Sequence, residues 1–218
     1  MTHWLGQTNK VCWLANFTLT TKEIKMFSSK KDYKLLTFTG AFLILNSFSV
    51  VAQQTDITAL KSEAITIVKQ FGGALKPELK KALTEGGVQQ AVTVCSVKAP
   101  EIAHNLTLAT NWQVKRVSLK ARNNKNAMPD AWEEATLAEF DLRQQQGESA
   151  KNMAKAEIIG NEFRFMKAQG TAPLCLTCHG TTLSQEAKAA LKNHYPNDKA
   201  TGYSLGQIRG AFSLTKQL

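Results

Sequence analysis

The sequence predicts an α+β fold in which N-terminal helices precede an antiparallel sheet. Apolar residues recur at helical spacing through the stretch 57–102, so one face of each helix there would be buried. Farther along, short runs rich in β-branched and aromatic residues are separated by glycine-containing turns, as in strands and hairpins. The strands do not alternate regularly with helices as βαβ units would require, so the sheet is expected to be antiparallel.

The first 52 residues are expected to lie outside this fold. From Met26 the chain has lysines within the stretch 30–34, then an apolar run at 35–51 that is followed by the small residue Ala52. This layout is typical of a secretory signal peptide with cleavage after Ala52, and it predicts export to the periplasm. The apolar run is shorter than the roughly 20 residues of a transmembrane helix, which favours cleavage over retention as a membrane anchor.

Residues 1–25 precede a methionine that already opens the signal-like segment. We therefore interpret 1–25 as a wrongly assigned extension, 26–52 as the signal peptide and 53–218 as the folded domain. The net charge is +10 for the whole chain and +6 for 53–218, which contains 21 Lys and Arg and 15 Asp and Glu. The basic residues are scattered among acidic ones, a pattern typical of a solvated surface, so a nucleic-acid partner is not expected.

Three helices are predicted before the sheet. Their ranges are 56–71, 77–84 and 88–102. Gly72–Gly73 and Gly86–Gly87 are expected to end the first and second helices, because glycine disfavours a helical interior. Pro100 is expected to kink or restart the third helix, since proline lacks the helical N–H group and clashes with the preceding turn.

The second half of the domain is predicted to contain the strands and two further helices. One helix is expected after Asp130, with Glu133 and Glu134 in its first turn and Gly147 closing it. A hairpin is expected to turn at Gly160–Asn161. The remaining predicted elements are a strand at 112–119, the hairpin strands within 156–168, a helix at 184–194 and a last strand at 207–214.

Residues 175–179 read Cys-Leu-Thr-Cys-His, the spacing with which c-type cytochromes hold haem. In such motifs two thiols add across the haem vinyl groups, and the adjacent histidine supplies a nitrogen ligand to the iron. Haem c is attached outside the cytoplasm, so the predicted signal peptide agrees with the motif independently. The sequence predicts one covalent haem c, attached at Cys175 and Cys178, with His179 as an iron ligand.

Two other uses of the motif stay open. A structural zinc site would need a second spaced pair of ligands, and beyond the motif only the lone His194 follows in the sequence. A thioredoxin-like dithiol centre would be expected after a strand in a βαβ setting, which the sequence does not predict. Haem c is favoured over both.

The second axial ligand of the iron decides between an electron carrier and a sensor. A methionine is typical of an electron carrier, whereas an open axial position binds gases. Cys95 lies on the apolar face of a predicted helix, so from the residues alone it is either a small buried side chain or a ligand. Met128, in a loop before a proline, is the runner-up. The other candidates are Met153, Met166, His104 and His194.

Four motifs occur in order along the predicted domain. They are AVTVCSVKAPEIA at 91–103, VKRVSLKARNNKNAMPDAWE at 114–133, CLTCHG at 175–180 and DKATGYSLGQIRGAF at 198–212. Together they resemble a family of extracytoplasmic haem-c sensor domains with a PAS-like fold, known as a domain of unknown function. The resemblance implies that His179 and Cys95 are the two axial ligands. One departure is the loop sequence Arg-Asn-Asn, where the family usually has a proline after Arg-Asn.

The resemblance implies a redox or gas sensor rather than an enzyme. A Cys95 thiolate would favour ferric iron, and its loss on reduction would open a site for a diatomic gas and shift the helix that carries it. The signalling or electron-transfer partner is a protein that the sequence does not identify. The alternative is a soluble periplasmic electron-transfer cytochrome with a Met or His sixth ligand. A peroxidase, with His104 as the only evident acid–base group, is least favoured.

Two arginines bracket the junction between the predicted strand at 112–119 and the loop after it. Guanidinium groups bind carboxylates through paired hydrogen bonds, so Arg116 and Arg122 are candidate partners of the haem propionates, and Lys120 lies between them. A solvated surface charge is the alternative for each. The predicted cofactor-binding set is Cys175, Cys178, His179, Cys95, Arg116 and Arg122.

Overall fold

The structure is a computed structural model that describes residues 56–218. The predicted extension at 1–25 and the predicted signal peptide at 26–52 lie outside the described residues. Within 56–218 the chain forms helices and a four-stranded antiparallel sheet, which confirms the predicted α+β class. None of the helices in this part of the chain is long and apolar enough to cross a membrane.

The helix α1, Ile57–Thr110, is the longest element. It begins at Asp56, whose carboxylate accepts hydrogen bonds from the amides of Thr58 and Ala59 and so satisfies two free N–H groups of the first turn. The backbone leaves helical geometry at Gly86–Gly87, where Gly87 has φ 64°. This break lies where the sequence predicted a helix end, and it divides α1 into two halves.

The other predicted interruptions of α1 are wrong. Helical structure continues through Gly72–Gly73, and non-helical dihedrals occur only at Gly86–Gly87, so Pro100 neither breaks nor restarts the helix. Each glycine disfavours the helix by about 1 kcal/mol, and burial of a large side chain returns about 1.5–3 kcal/mol. Phe71 and Leu75 flank the glycine pair and are both buried against the sheet, which explains why packing prevails there.

The sheet has the strand order β1-β4-β3-β2, with neighbouring strands antiparallel. Strands β2 and β3 form the predicted hairpin, and its turn contains Gly160 at φ 62°, a backbone conformation that glycine adopts without strain. The last strand, β4, lies between β1 and β3 and therefore joins the two halves of the sheet. The strands are β1 (Gln113–Val117), β2 (Ala154–Ile159), β3 (Glu162–Gly170) and β4 (Ile208–Gln217).

Helices cover both faces of the sheet because side chains along a strand alternate between the faces. Phe163 and Phe165 share the face that packs against α1, together with Trp112 and Leu214. The opposite face packs against α2, Ala131–Gln145. The core on that side consists of Val117, Leu137, Phe140, Met153, Met166, Ala168, Ile208 and Ala211.

The predicted start of α2 is confirmed and is tied to the sheet by a buried carboxylate. Asp130 and Glu133 form a capping box, in which each side chain accepts a hydrogen bond from the backbone amide of the other. Glu133 is fully buried, and its carboxylate also accepts hydrogen bonds from Lys115 Nζ at 3.0 Å and from Ser213 Oγ. Arg164 Nη2 lies 3.5 Å from Glu133 Oε1.

The Cys-Leu-Thr-Cys-His motif lies between β3 and a helix that packs on α1. A 3₁₀ turn, Pro173–Cys175, leads into the short helix α3, Leu176–His179. The helix α4, Gln185–His194, begins at Ser184 as predicted. Ala190 and Leu191 of α4 pack on Val92 of α1, which fixes the motif beside the second half of α1.

The substitution Glu133→Ala is expected to lower the free energy of unfolding by about 2–4 kcal/mol, because it removes the acceptor of the buried Ser213 hydroxyl, one charged partner of Arg164 and half of the capping box of α2. The matched control is Glu134→Ala, since Glu134 is exposed in the same first turn and its loss should cost less than about 1 kcal/mol. Urea denaturation followed by circular dichroism measures both. Equal, small losses in the two variants would contradict a structural role for the buried carboxylate.

Candidate functional site

A cavity of about 1110 Å³ lies against the second half of α1, β1 with the loop after it, and the Cys-Leu-Thr-Cys-His motif. This volume slightly exceeds the roughly 300–1,000 Å³ typical of pockets for small molecules and cofactors. Cys95, Cys175, Cys178 and His179 all line it. The structure therefore brings together the four residues that the sequence predicted as attachment sites and axial ligands.

His179 is held by its first ring nitrogen and presents its second to the cavity. Nδ1 lies 2.7 Å from the carbonyl oxygen of Ala200, a position in which Nδ1 carries the proton and donates it to that oxygen. The lone pair is then on Nε2, which lies 3.3 Å from Arg122 Nη1 and 3.5 Å from Arg209 Nη1. A backbone carbonyl that fixes the tautomer in this way is typical of metal-binding histidines.

The surroundings of His179 keep its ring neutral. The pKa of His179 is lowered to about 2, first by burial and then by the positive charges of Arg209 and Arg122, against the hydrogen bond to Ala200, which raises it. A neutral imidazole is the form that binds a metal ion. His179 is therefore available as a nitrogen ligand across the physiological pH range.

Cys95 is half-buried on α1 and faces the same cavity. Burial raises the pKa of its thiol, while the positive charges of Arg116, Arg209 and Arg122 act in the opposite direction and favour the thiolate. Burial likewise raises the pKa of the Cys178 thiol. Within residues 56–218 the three cysteines, 95, 175 and 178, are all free thiols.

Arg122 fastens the end of the motif to the segment that follows α4. Its Nε donates to Asp198 Oδ2 at 3.1 Å, and its Nη2 donates to the carbonyl oxygens of Cys178 and Ala200. Both side chains of the Arg122–Asp198 pair are largely buried. Although Arg122 lines the cavity as predicted, its hydrogen bonds go mostly to the protein, and its evident role is to position His179.

Two further arginines face the cavity from the sheet. Arg116 of β1 was predicted, and its guanidinium lies 5.1 Å from the centre of the Phe71 ring. Burial lowers the pKa of Arg116 to about 10, and the neighbouring charge of Arg209 contributes in the same direction.

Arg209 of β4 was missed by the sequence analysis. The available signal was a lone arginine in the strand sequence IRGAF, at a position whose neighbours are buried.

The remaining ligand candidates are placed differently. Met128 is exposed and lies in the lining of the cavity, as does the exposed His104. Met153 and Met166 are fully buried in the core between the sheet and α2, so they are packing residues. The imidazole of His194 lies 3.1 Å from the Thr93 hydroxyl. In the described part of the chain, no group of three or more His, Cys, Asp and Glu side chains could hold a metal ion.

Comparison with known proteins gives one family and one solved structure. The model of the Tll0287-like family matches residues 41–216. The crystal structure of the cyanobacterial heme-protein Tll0287 superposes with a TM-score of 0.58 at 23% identity, covering 75% of this chain and 97% of that chain. At this identity the likeness concerns the fold. The search of curated proteins gave no match.

The substitution Asp198→Ala is expected to lower the free energy of unfolding by about 2–3 kcal/mol, since Arg122 would lose its charged partner while keeping two carbonyl acceptors. Glu148→Ala is the matched control, because Glu148 forms a more exposed ion pair with Arg143 that contributes about 0–1 kcal/mol. Urea denaturation of both variants provides the measurement. A loss at position 198 no larger than the control would show that the carbonyl contacts alone hold Arg122.

Proposed function

We propose that this chain, which belongs to the Tll0287-like family, is an exported c-type haem protein that acts as a redox or gas sensor. The observation that carries the proposal is the convergence of Cys95, Cys175, Cys178 and His179 on one cavity. Haem binding is further supported by the family match over 41–216 and by the fold shared with a haem protein.

The residues present fit one haem c. Cys175 and Cys178 supply two thiols three positions apart in the chain for thioether bonds, and both face the cavity. His179 would hold the iron through Nε2, and Cys95, from α1, would hold it through Sγ. When bound, haem supplies an iron that changes oxidation state and that binds diatomic gases where an axial position is open.

Cys95 is suited to be the ligand that is released from the iron. A thiolate is the ligand form of cysteine and a thiol is a poor ligand, so a proton taken up at Sγ would free the side chain. Burial favours the thiol and outweighs the three arginines near Cys95, so the pKa of the thiol is raised and the side chain would be a thiolate only while a metal ion holds it. Because Cys95 lies on α1 beyond the break at Gly86–Gly87, its release would allow that half of the helix to shift.

The proposal also includes a PAS-like fold and a periplasmic location. A PAS-like arrangement is supported by the antiparallel sheet, one face of which carries α1 and contributes to the wall of the cavity. The periplasmic location depends on the predicted signal peptide at 26–52. The proposed signalling partner is another protein, which would sense the position of α1.

One observation favours a second candidate function. Met128 lies in the cavity lining on a loop that precedes a proline, so its thioether is the other available sixth ligand. In that case Cys95 would be a packing residue, and the protein would be a periplasmic electron-transfer cytochrome with a higher reduction potential.

Production from Met26 in a host that matures c-type cytochromes is expected to give a red protein whose haem resists acid–acetone extraction. The ferric absorption spectrum should contain a thiolate charge-transfer band that is lost in Cys95→Ala, because Sγ is the group that produces it. Met128→Leu is the matched control and should retain the band. Spectra of the ferric and dithionite-reduced proteins provide the measurement.

A spectrum that is unchanged in Cys95→Ala and altered in Met128→Leu would instead establish the electron carrier. A wild-type protein without colour would contradict haem binding altogether.

The single variants Cys175→Ala and Cys178→Ala should each keep one thioether bond and one free vinyl group. The pyridine haemochrome band of each variant is therefore expected at a longer wavelength than that of the wild type, since the vinyl group remains conjugated with the ring. Cys95→Ala should leave the band in place, because Cys95 is not an attachment site in this proposal. A shift in Cys95→Ala, or none in the other two variants, would reassign the attachment.

A further inference from the structure

Two of the five arginines in the chain lack an ion-pair partner within residues 56–218, and both face the cavity. The other three are paired: Arg122 with Asp198, Arg143 with Glu148 and Glu139, and Arg164 with Asp130 and Glu133. The unpaired arginines are Arg116 and Arg209. Among the described residues, the arginines without a carboxylate partner are therefore those in the cavity wall.

Both unpaired arginines are partly buried in the wall of the cavity. The Nε atom of Arg209 is buried and has no hydrogen-bond partner among the described residues. Arg116 is covered by the ring of Phe71, and its pKa is lowered mainly by burial, with Arg209 as the next cause. The two side chains come from the neighbouring strands β1 and β4, so they lie on the same wall of the cavity.

In the part of the chain that the structure describes, the lining of the cavity offers these arginines no carboxylate. It contains eight Lys and Arg side chains and neither aspartate nor glutamate. A buried charge is strongly unfavourable unless it is paired, and an arginine cannot discharge itself by losing its proton near neutral pH. A Cys95 thiolate would offset part of this charge, and the remaining negative charge is expected from the molecule that occupies the cavity.

We propose that Arg116 and Arg209 form a carboxylate-binding pair on the sheet side of the cavity, and that they bind the two propionates of haem. This inference rests on the proposed function. Each guanidinium presents a planar fork of N–H donors that matches one carboxylate, so two arginines suit a ligand with two carboxylates. Arg209 takes the place that the sequence analysis gave to Arg122, whose donors are engaged by Asp198 and by carbonyl groups.

The position of Arg209 favours propionates over a free carboxylate from solution. Its Nη1 lies 3.5 Å from Nε2 of His179, the atom proposed to bind the iron. An iron held by Nε2 would take up this approach to the nitrogen, so the guanidinium would turn from Nε2 to the edge of the haem ring, where the propionates are. A free dicarboxylate such as succinate has the same chemistry, and the experiment distinguishes the two sources.

The test uses the haem-loaded protein and its reduction potential measured as a function of pH. Arg116→Gln and Arg209→Gln should keep covalent haem on a denaturing gel. Each should shift the potential to lower values, because a positive charge that disfavours ferric iron has been removed. The propionate pKa values should rise in the variants, so their potentials should increase more steeply than that of the wild type as the pH falls through roughly 4–8.

Arg143→Gln is the matched control, since Arg143 is an arginine paired with glutamates and does not line the cavity. It should leave the potential and its pH profile unchanged. Arg116→Met and Arg209→Met, which are also uncharged, give the same comparison if a glutamine variant does not fold. Potentials of the cavity variants that match the control at every pH would overturn the proposal.

A succinate titration distinguishes the source of the carboxylates. Propionates already occupy the pair in this proposal, so added succinate should leave the wild-type potential unchanged. A saturable shift that disappears in Arg209→Gln would overturn the propionate assignment in favour of a free carboxylate. Wild-type protein without covalent haem would overturn the proposed function and this inference together, whereas haem-loaded variants with an unchanged potential would overturn this inference alone.

Discussion

The packing of α1 on one face of the sheet is the interaction on which the rest of the structure depends. The ring of Phe71 meets that of Phe212 edge to face, with centroids 5.1 Å apart, at the centre of a core that includes Trp112 and Phe165. Burial of this apolar area fixes which face of α1 points inward. Ala99 of the second half lies in the same core, so Cys95, one turn earlier on that half, is held facing the cavity. The site is therefore assembled by the same contacts that stabilise the fold.

Among residues 56–218, buried charged side chains are paired within the chain on one face of the sheet and unpaired on the other. On the α2 face, the buried Glu133 is surrounded by Lys115, Arg164 and Ser213, so the charges there are balanced within the chain. On the α1 face, Arg116 and Arg209 have no acidic partner among the described residues. The first arrangement joins a helix to a sheet and needs nothing further. The second is electrostatically incomplete, which is what distinguishes a ligand site from a core.

The sequence correctly predicted those helix ends and turns that are determined by residues within a few positions of each other. The cap of α2 at Asp130 and the hairpin turn at Gly160 were predicted because a side chain or a positive φ angle within a few residues decides them. The expected helix end at Gly72–Gly73 and the interruption at Pro100 were wrong, because burial of α1 against the sheet outweighs weak local preferences. Glycines ended the helix only at Gly86–Gly87, where the backbone takes a positive φ angle.

The sequence by itself determined the chemistry of the motif at 175–179, because its two thiols and its imidazole are held at fixed spacing by five consecutive residues. It also suggested Cys95, but only through a family resemblance. Tertiary structure alone decided that Cys95 and His179 line one cavity, that Asp198 engages Arg122 and that Arg209 stands unpaired beside Nε2. These relations join residues far apart in the chain. They depend on how helices and strands pack. The hydrophobic periodicity of one segment indicates which of its faces is buried, but it does not indicate which distant segment packs against that face.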